Sequence, residues 1–181
     1  MVARITEKRN IDTMNIDILN TEQVLELINQ EDNKVIKAVK EQIPNITSAV
    51  DEIYHRMKNG GRLFYAGSGT SGRLGVLDAV ECVPTFSIDQ NRVVGIIAGG
   101  KEAMFVAQEE VEDSFDLGME EIKKYNILEM DTVVGIAASG STPFVLGVVN
   151  EAKKSGALTI ALTCNSGSEL GENADISISP I

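Results

Sequence analysis

Leu63-Phe64-Tyr65-Ala66-Gly67-Ser68-Gly69-Thr70-Ser71-Gly72-Arg73-Leu74-Gly75 is the stretch on which the reading of the fold turns. An apolar run of strand-forming residues passes directly into a glycine- and hydroxyl-rich turn, and a helical pattern begins where the turn ends. Glycines at such a place let backbone N–H groups approach a bound anion, and the Thr70 and Ser71 hydroxyls add donors at the helix start. The spacing is not that of a P-loop, since no Gly-Lys-Ser/Thr follows, and the acidic ribose partner of a dinucleotide fingerprint is missing. A plain strand-to-helix turn and a ligand site both fit this spacing.

Runs of the same kind recur downstream, at 93–97, 133–137 and 158–162, with a short one at 176–178, and helical stretches separate them. That alternation predicts an α/β fold, a doubly wound five-stranded parallel sheet flanked by helices on both faces. Upstream, Thr21 with Val24, Leu25, Leu27 and Ile28 reads as a capped helix. A second apolar stripe through Val35, Ile36, Val39, Ile43, Ile46, Val50, Ile53 and Met57 reads as longer helical structure, broken or kinked at Pro44 and ended by Gly60 and Gly61. Residues 1–20 are polar and weakly periodic and predict an extended arm in need of a partner surface, leaving 21–181 as the folded domain.

The strand endings carry more information than the strands. They run into Gly67 to Ser71, Ala98-Gly99-Gly100, Ser139-Gly140-Ser141-Thr142-Pro143 and Asn165-Ser166-Gly167-Ser168. All lie at carboxyl ends, the edge of an open parallel sheet outside which ligands bind. Turns of this kind need Gly and Ser in any case, yet the richness of the first and third loops favours a site. Pro143 suits a first helical turn, where Ser139, Ser141 and Thr142 can donate to an anion at the helix's positive end. Neither loop has a lysine to clamp a polyphosphate, which points to a single phosphate on a small metabolite.

Composition narrows the partners. The 181 residues carry 16 basic and 27 acidic side chains, a formal charge of -11, which disfavours nucleic acid and anionic membranes. Cys82 and Cys164 have no metal-ligand or disulfide spacing and are expected to be small buried residues in a reduced compartment. The first residues lack the apolar core of a signal peptide, and no run is long enough to span a bilayer, so a soluble cytoplasmic protein is expected. The single histidine, His55, sits beside Arg56 and Lys58 in a helical pattern and reads as a surface residue.

Gly67 to Gly75, continued by Val76-Leu77-Asp78-Ala79-Val80-Glu81-Cys82-Val83-Pro84-Thr85-Phe86, closely resembles the signature of bacterial N-acetylmuramic acid 6-phosphate etherases, within the wider sugar isomerase (SIS) domain family. Resemblance continues through Gly95 to Gly100, Val111-Glu112-Asp113-Ser114 and Ala138 to Pro143, and it covers essentially the whole chain. Glucokinase regulatory proteins share parts of the pattern. The resemblance implies a SIS-type fold with a phosphosugar in the crevice, its phosphate held foremost by Ser71, Ser139, Ser141 and Thr142, with Gly69, Thr70 and Gly140 in the same loops and Ser68 either a further donor or a space-filler. It also implies a homodimer, for which the stripe from Ile43 to Met57 is a candidate contact, although core packing would use it equally well.

The implied reaction splits the ether between D-lactate and C3 of the sugar, giving N-acetylglucosamine 6-phosphate and D-lactate, without metal or redox cofactor. In the open-chain aldehyde the carbonyl acidifies the C2 proton, a base removes it, lactate leaves from C3, and water adds back. Glu81 and Glu112 match the family's two catalytic glutamates. Glu81 is expected to follow the phosphate-loop helix, where its side chain would point back toward the crevice. The run Glu109, Glu110, Glu112, Asp113 by itself reads as a solvated helix face, so Glu112 rests on the resemblance. Three departures stand out: Ser68 where alanine is commoner, Val83 where a second proline is common, and a chain that stops at Ile181 where the family continues through a Gly-Ser-Thr-rich segment and helices. The chain therefore reads as a truncated SIS core. A phosphosugar-binding regulatory module without turnover and an aldose–ketose phosphosugar isomerase remain the alternatives.

Overall fold

A computed structural model describes residues 5–108 and 110–181; residues 1–4 of the arm and Glu109 of the acidic run lie outside them. Five strands, β1 (Leu63–Gly67), β2 (Val93–Ile97), β3 (Thr132–Ile136), β4 (Leu158–Leu162) and β5 (Ile176–Ile178), form one sheet in the order β2-β1-β3-β4-β5. Every pairing is parallel. The helices are α1 (Thr21–Glu41), α2 (Ile43–Lys58), α3 (Gly69–Phe86), α4 (Phe115–Lys123), α5 (Pro143–Lys154) and α6 (Glu169–Asn173).

Successive side chains of a strand point to opposite faces, and here both faces are covered, which is why the strands are mostly apolar. On one face Phe64, Ala66 and Val133 pack with Val145 and Val148 of α5, Ile122 of α4 and Leu170 of α6. On the other, Leu63, Val93, Val134 and Ile160 meet Ala49 of α2 and Ala79 of α3. The doubly wound sheet expected from the alternation is the one observed.

The helices before the sheet are divided differently from the expectation. Asn20, not Thr21, caps α1: its side chain accepts from Gln23 N at 3.0 Å while Gln23 Oε1 accepts from Asn20 N at 3.1 Å, a reciprocal capping box. The two apolar stripes up to Glu41 are one helix, and the break falls at Gln42. Pro44 then sits in the first turn of α2, where a missing N–H costs nothing, so it opens a helix instead of kinking one. The Ile43–Met57 stripe is split between uses: Ala49, Ile53 and Met57 pack on the sheet, while Ile43, Val50 and Tyr54 are exposed. Helix α1 has no buried residue, and Leu25, Val35 and Ile36 are exposed along it.

The arm is not extended. Its described part forms three 3-10 turns, Ile5–Glu7, Ile11–Thr13 and Ile16–Ile18, and docks on the chain's own surface. Asn10 donates to Glu31 at 2.7 Å, and Ile5 N donates to Asn165 Oδ1 at 2.7 Å. The cysteines also differ from expectation, Cys82 being half-buried and Cys164 exposed; Cys164 lies past the end of β4, where the chain has left the sheet's interior. His55 is on the surface as expected. Among the described residues no helix is long and apolar enough to cross a membrane.

At the amino edge of the sheet, buried Asp131 ties the starts of β1 and β3 together. Its carboxylate accepts from Arg62 N at 2.8 Å, Arg62 Nη2 at 2.6 Å and Leu128 N at 2.9 Å. Burial works to raise the pKa of this carboxyl, but the hydrogen bonds from Arg62 and Leu128 outweigh it and hold the group below the ordinary aspartate value.

Candidate functional site

The strand order fixes where a crevice opens. Strand β1 leads into α3 on one face and its neighbour β3 leads into α5 on the other, so the chain diverges at the carboxyl ends of these two strands. Gly67 and Ile136, the last residues of β1 and β3, are register partners. The first and third glycine- and hydroxyl-rich loops therefore start side by side.

In the first loop Ser68 is the N-cap of α3, with an extended backbone, and Gly72 N donates to its carbonyl at 3.2 Å. A Cβ on Gly67 would stand 2.6 Å from Gly72 N; strand end and helix start touch backbone to backbone, which only glycine allows. The first-turn N–H groups of Gly69, Thr70 and Ser71 have no intrahelical acceptor. The Ser68 hydroxyl does not cap the helix, and its oxygen is buried without a partner among the described residues. An unpartnered buried hydroxyl thus stands at the positive end of an 18-residue helix. Thr70 is exposed and Ser71 half-buried.

The third loop is drawn tight. Gly140 has φ +67°, and Ser141 N and Oγ reach Ser139 Oγ at 3.3 and 3.2 Å, clustering the hydroxyls. Thr142 is the N-cap of α5 and makes no side-chain cap bond. Pro143 has no N–H, and Phe144 N already donates to the Glu112 carbonyl at 3.0 Å. The anion donors at this helix end are thus mainly the hydroxyls of Ser139, Ser141 and Thr142, with α5's dipole behind them. Two helix N-termini thus start side by side, an arrangement chemically able to cradle an anion.

The same Phe144 bond places Glu112. Its carbonyl is held at the first turn of α5, so this exposed residue stands next to the third loop. Glu81 is elsewhere. It lies inside α3, as does Pro84, instead of following that helix. At 1.5 Å per residue it sits about 15 Å along the axis from Ser71, beyond hydrogen-bond reach of the cradle. It is exposed and shares α3's outer face with Leu77 and Leu74, four and seven residues back, where Leu74, Leu77 and Val80 are 57, 56 and 59% exposed. Within one chain, then, the cradle and Glu112 come together and Glu81 does not.

Asn165, first residue of the fourth strand-end loop, is a functional candidate that was not among the expected site residues. It is 7% exposed, and its side-chain amide donates to the Ala138 carbonyl at 3.0 Å and the Ser139 carbonyl at 3.4 Å. The only local signal was its place at the end of a strand.

Residues 45–153 match the family described as the glucokinase regulatory protein N-terminal SIS domain. The chain is 52% identical over 177 residues to an N-acetylmuramic acid 6-phosphate etherase of Vibrio atlanticus, covering 98% of this chain and 58% of that protein. It is 51% identical over 173 residues to that of Bacillus subtilis, covering 96% and 57%. The chain thus spans little more than half the length of these curated relatives. Among solved structures, a phosphoheptose isomerase from Neisseria gonorrhoeae superposes with a TM-score of 0.66 at 17% identity, over 86% of this chain and 85% of that one. One from Francisella tularensis gives 0.63 at 23% identity, over 87% and 85%. At those identities the likeness shows a shared fold.

Proposed function

We propose, because the chain belongs to the family of the glucokinase regulatory protein N-terminal SIS domain and groups with the N-acetylmuramic acid 6-phosphate etherases, that the crevice binds N-acetylmuramic acid 6-phosphate and cleaves its lactyl ether. The observation that carries the reading is the meeting of two hydroxyl-lined helix N-termini at the β1/β3 divergence, with Glu112 bonded to the same α5 turn. Ser68, Ser71, Ser139, Ser141, Thr142 and the N–H groups of Gly69 and Thr70 hold the phosphate. The sugar then extends past the third loop toward Glu112.

Net, the substrate and one water become N-acetylglucosamine 6-phosphate and D-lactate. A carboxylate takes the C2 proton of the open-chain aldehyde, a carboxylic acid gives a proton to the departing lactate oxygen, and a C2–C3 double bond remains. Water adds at C3 and a proton returns to C2. Two carboxyl groups suffice for this traffic, and Glu112 and Glu81 fill the roles. Since Glu81 stands about 15 Å along α3 from the cradle of its own chain, it serves the crevice of a second copy in a homodimer. The exposed ridge of Leu74, Leu77 and Val80 around it is what such a contact would cover.

Incubation with N-acetylmuramic acid 6-phosphate and enzymatic assay of D-lactate tests this. Release should fall at least about a hundredfold in Glu112→Gln, the scale of a lost general acid–base group, with phosphosugar binding retained. Phosphosugar binding without lactate release by the unaltered chain would instead support the regulatory-module reading, and a ketose product the isomerase.

A further inference from the structure

The arm and the third loop share a single side chain. Asn165 Oδ1 accepts from Ile5 N at 2.7 Å, and Asn165 Nδ2 lies 3.1 Å from Thr6 Oγ1, 3.0 Å from the Ala138 carbonyl and 3.4 Å from the Ser139 carbonyl. Ile5 and Asn165 are 160 positions apart in sequence. Around it runs a polar network. Thr163 Oγ1 donates to the Asn165 carbonyl at 3.0 Å and meets Ser179 Oγ at 3.1 Å, and Leu170 N donates to the Gly140 carbonyl at 2.9 Å. Ala138 and Ser139 open the loop whose hydroxyls form half of the cradle. An asparagine amide has two donors and one acceptor oxygen, and here all are engaged at once.

We propose that Asn165 is a positioning residue that couples docking of the arm to the shape of the Ser139–Thr142 anion cradle. With the arm seated, the Ile5 and Thr6 contacts fix the rotamer of Asn165, and its amide then pins the Ala138 and Ser139 carbonyls so that the hydroxyls stay turned to the crevice. With the arm displaced, a buried amide loses its acceptor-side partner, and the loop it holds gains freedom. The proposal rests on the phosphosugar reading of the cradle for its ligand, but not for the mechanical link.

The test uses Ile5→Pro in the full chain. Proline at the first position of a 3-10 turn removes the N–H that donates to Asn165, along with an isoleucine side chain that is about half exposed, and leaves the bond from Lys8 N to the residue 5 carbonyl in place. Amide hydrogen exchange at residues 6–8 reports the arm, and exchange at 137–142 reports the loop. Calorimetric titration with N-acetylglucosamine 6-phosphate, and separately with inorganic phosphate, reports the cradle. The expected result is faster exchange in both segments and binding weaker by about three- to tenfold, the worth of one net hydrogen bond, with the global unfolding midpoint unmoved. Asn165→Asp, which keeps the acceptor but turns a carboxylate oxygen on two carbonyls, should loosen the loop more than the arm. Faster exchange in the arm with an unchanged loop and unchanged affinity would overturn the coupling, and so would an arm whose exchange does not respond to Ile5→Pro. If the unaltered chain binds neither ligand, the phosphosugar reading falls while the exchange comparison still decides the coupling.

Discussion

Replacing Gly140 by alanine should damage the cradle in a way that can be worked out from its surroundings. Gly140 has φ +67°, a conformation that costs an L-residue about 1–2 kcal/mol. A Cβ there would also overlap the Ser168 side chain. Ser168 cannot simply swing away, because its Oγ accepts from Gly171 N at 3.3 Å as the cap of α6, and losing such a cap costs about 1 kcal/mol. The expected loss is therefore roughly 2–3 kcal/mol of folding stability, together with a shift of the third loop that weakens phosphosugar binding. Gly156→Ala is the matched control: it has φ +80° but its Cβ would find no neighbour closer than 3.6 Å, so it should lose only the conformational part. Urea unfolding followed by circular dichroism gives both values, and calorimetric titration with N-acetylglucosamine 6-phosphate gives the affinities. Equal destabilisation by the two substitutions, or full affinity in Gly140→Ala, would refute the claim that the packing of Gly140 against Ser168 shapes the cradle.

If one crevice takes its two carboxyls from two copies, inactive Glu81→Gln and Glu112→Gln proteins should rescue each other on mixing and subunit exchange; random pairing regenerates about a quarter of the wild-type sites. D-lactate release that stays at the level of the separate variants would place both groups in one chain. Asp131 makes a prediction about acid stability. Its folded pKa is depressed, so its contribution is present above the unfolded value of about 3.9 and lost as pH falls through the folded one. Asp131→Asn should accordingly unfold more readily at neutral pH, with a penalty that shrinks toward pH 3; urea midpoints measured from pH 7 down to 3 check this, and a pH-independent difference would contradict it.

How each part of the candidate site is built explains which parts were legible in the sequence. The hydroxyl-rich loops were, because a strand end, a glycine turn and a helix start are all written in consecutive residues, as in Gly67 to Gly75. The sheet was legible for the same reason, since burial on both faces leaves an unmistakable apolar run for each strand. Helix limits were less so. The cap fell one residue early, at Asn20, and the break fell at Gln42, because apolar spacing says which face is buried and not where hydrogen bonding stops.

The sequence by itself determined the parallel α/β sheet and the two hydroxyl-rich loops at its carboxyl edge. Tertiary structure alone decided that β1 and β3 are neighbours, so that those loops meet, and that Glu112 is carried to them by a bond to Phe144 while Glu81 is carried away along α3. It also decided that Asn165 bonds the arm to the third loop. The physical reason is range: strands, turns and caps are set by neighbours a few residues apart, whereas strand order and the bonds of Glu112 and Asn165 depend on residues up to 160 positions distant, and no local pattern records them.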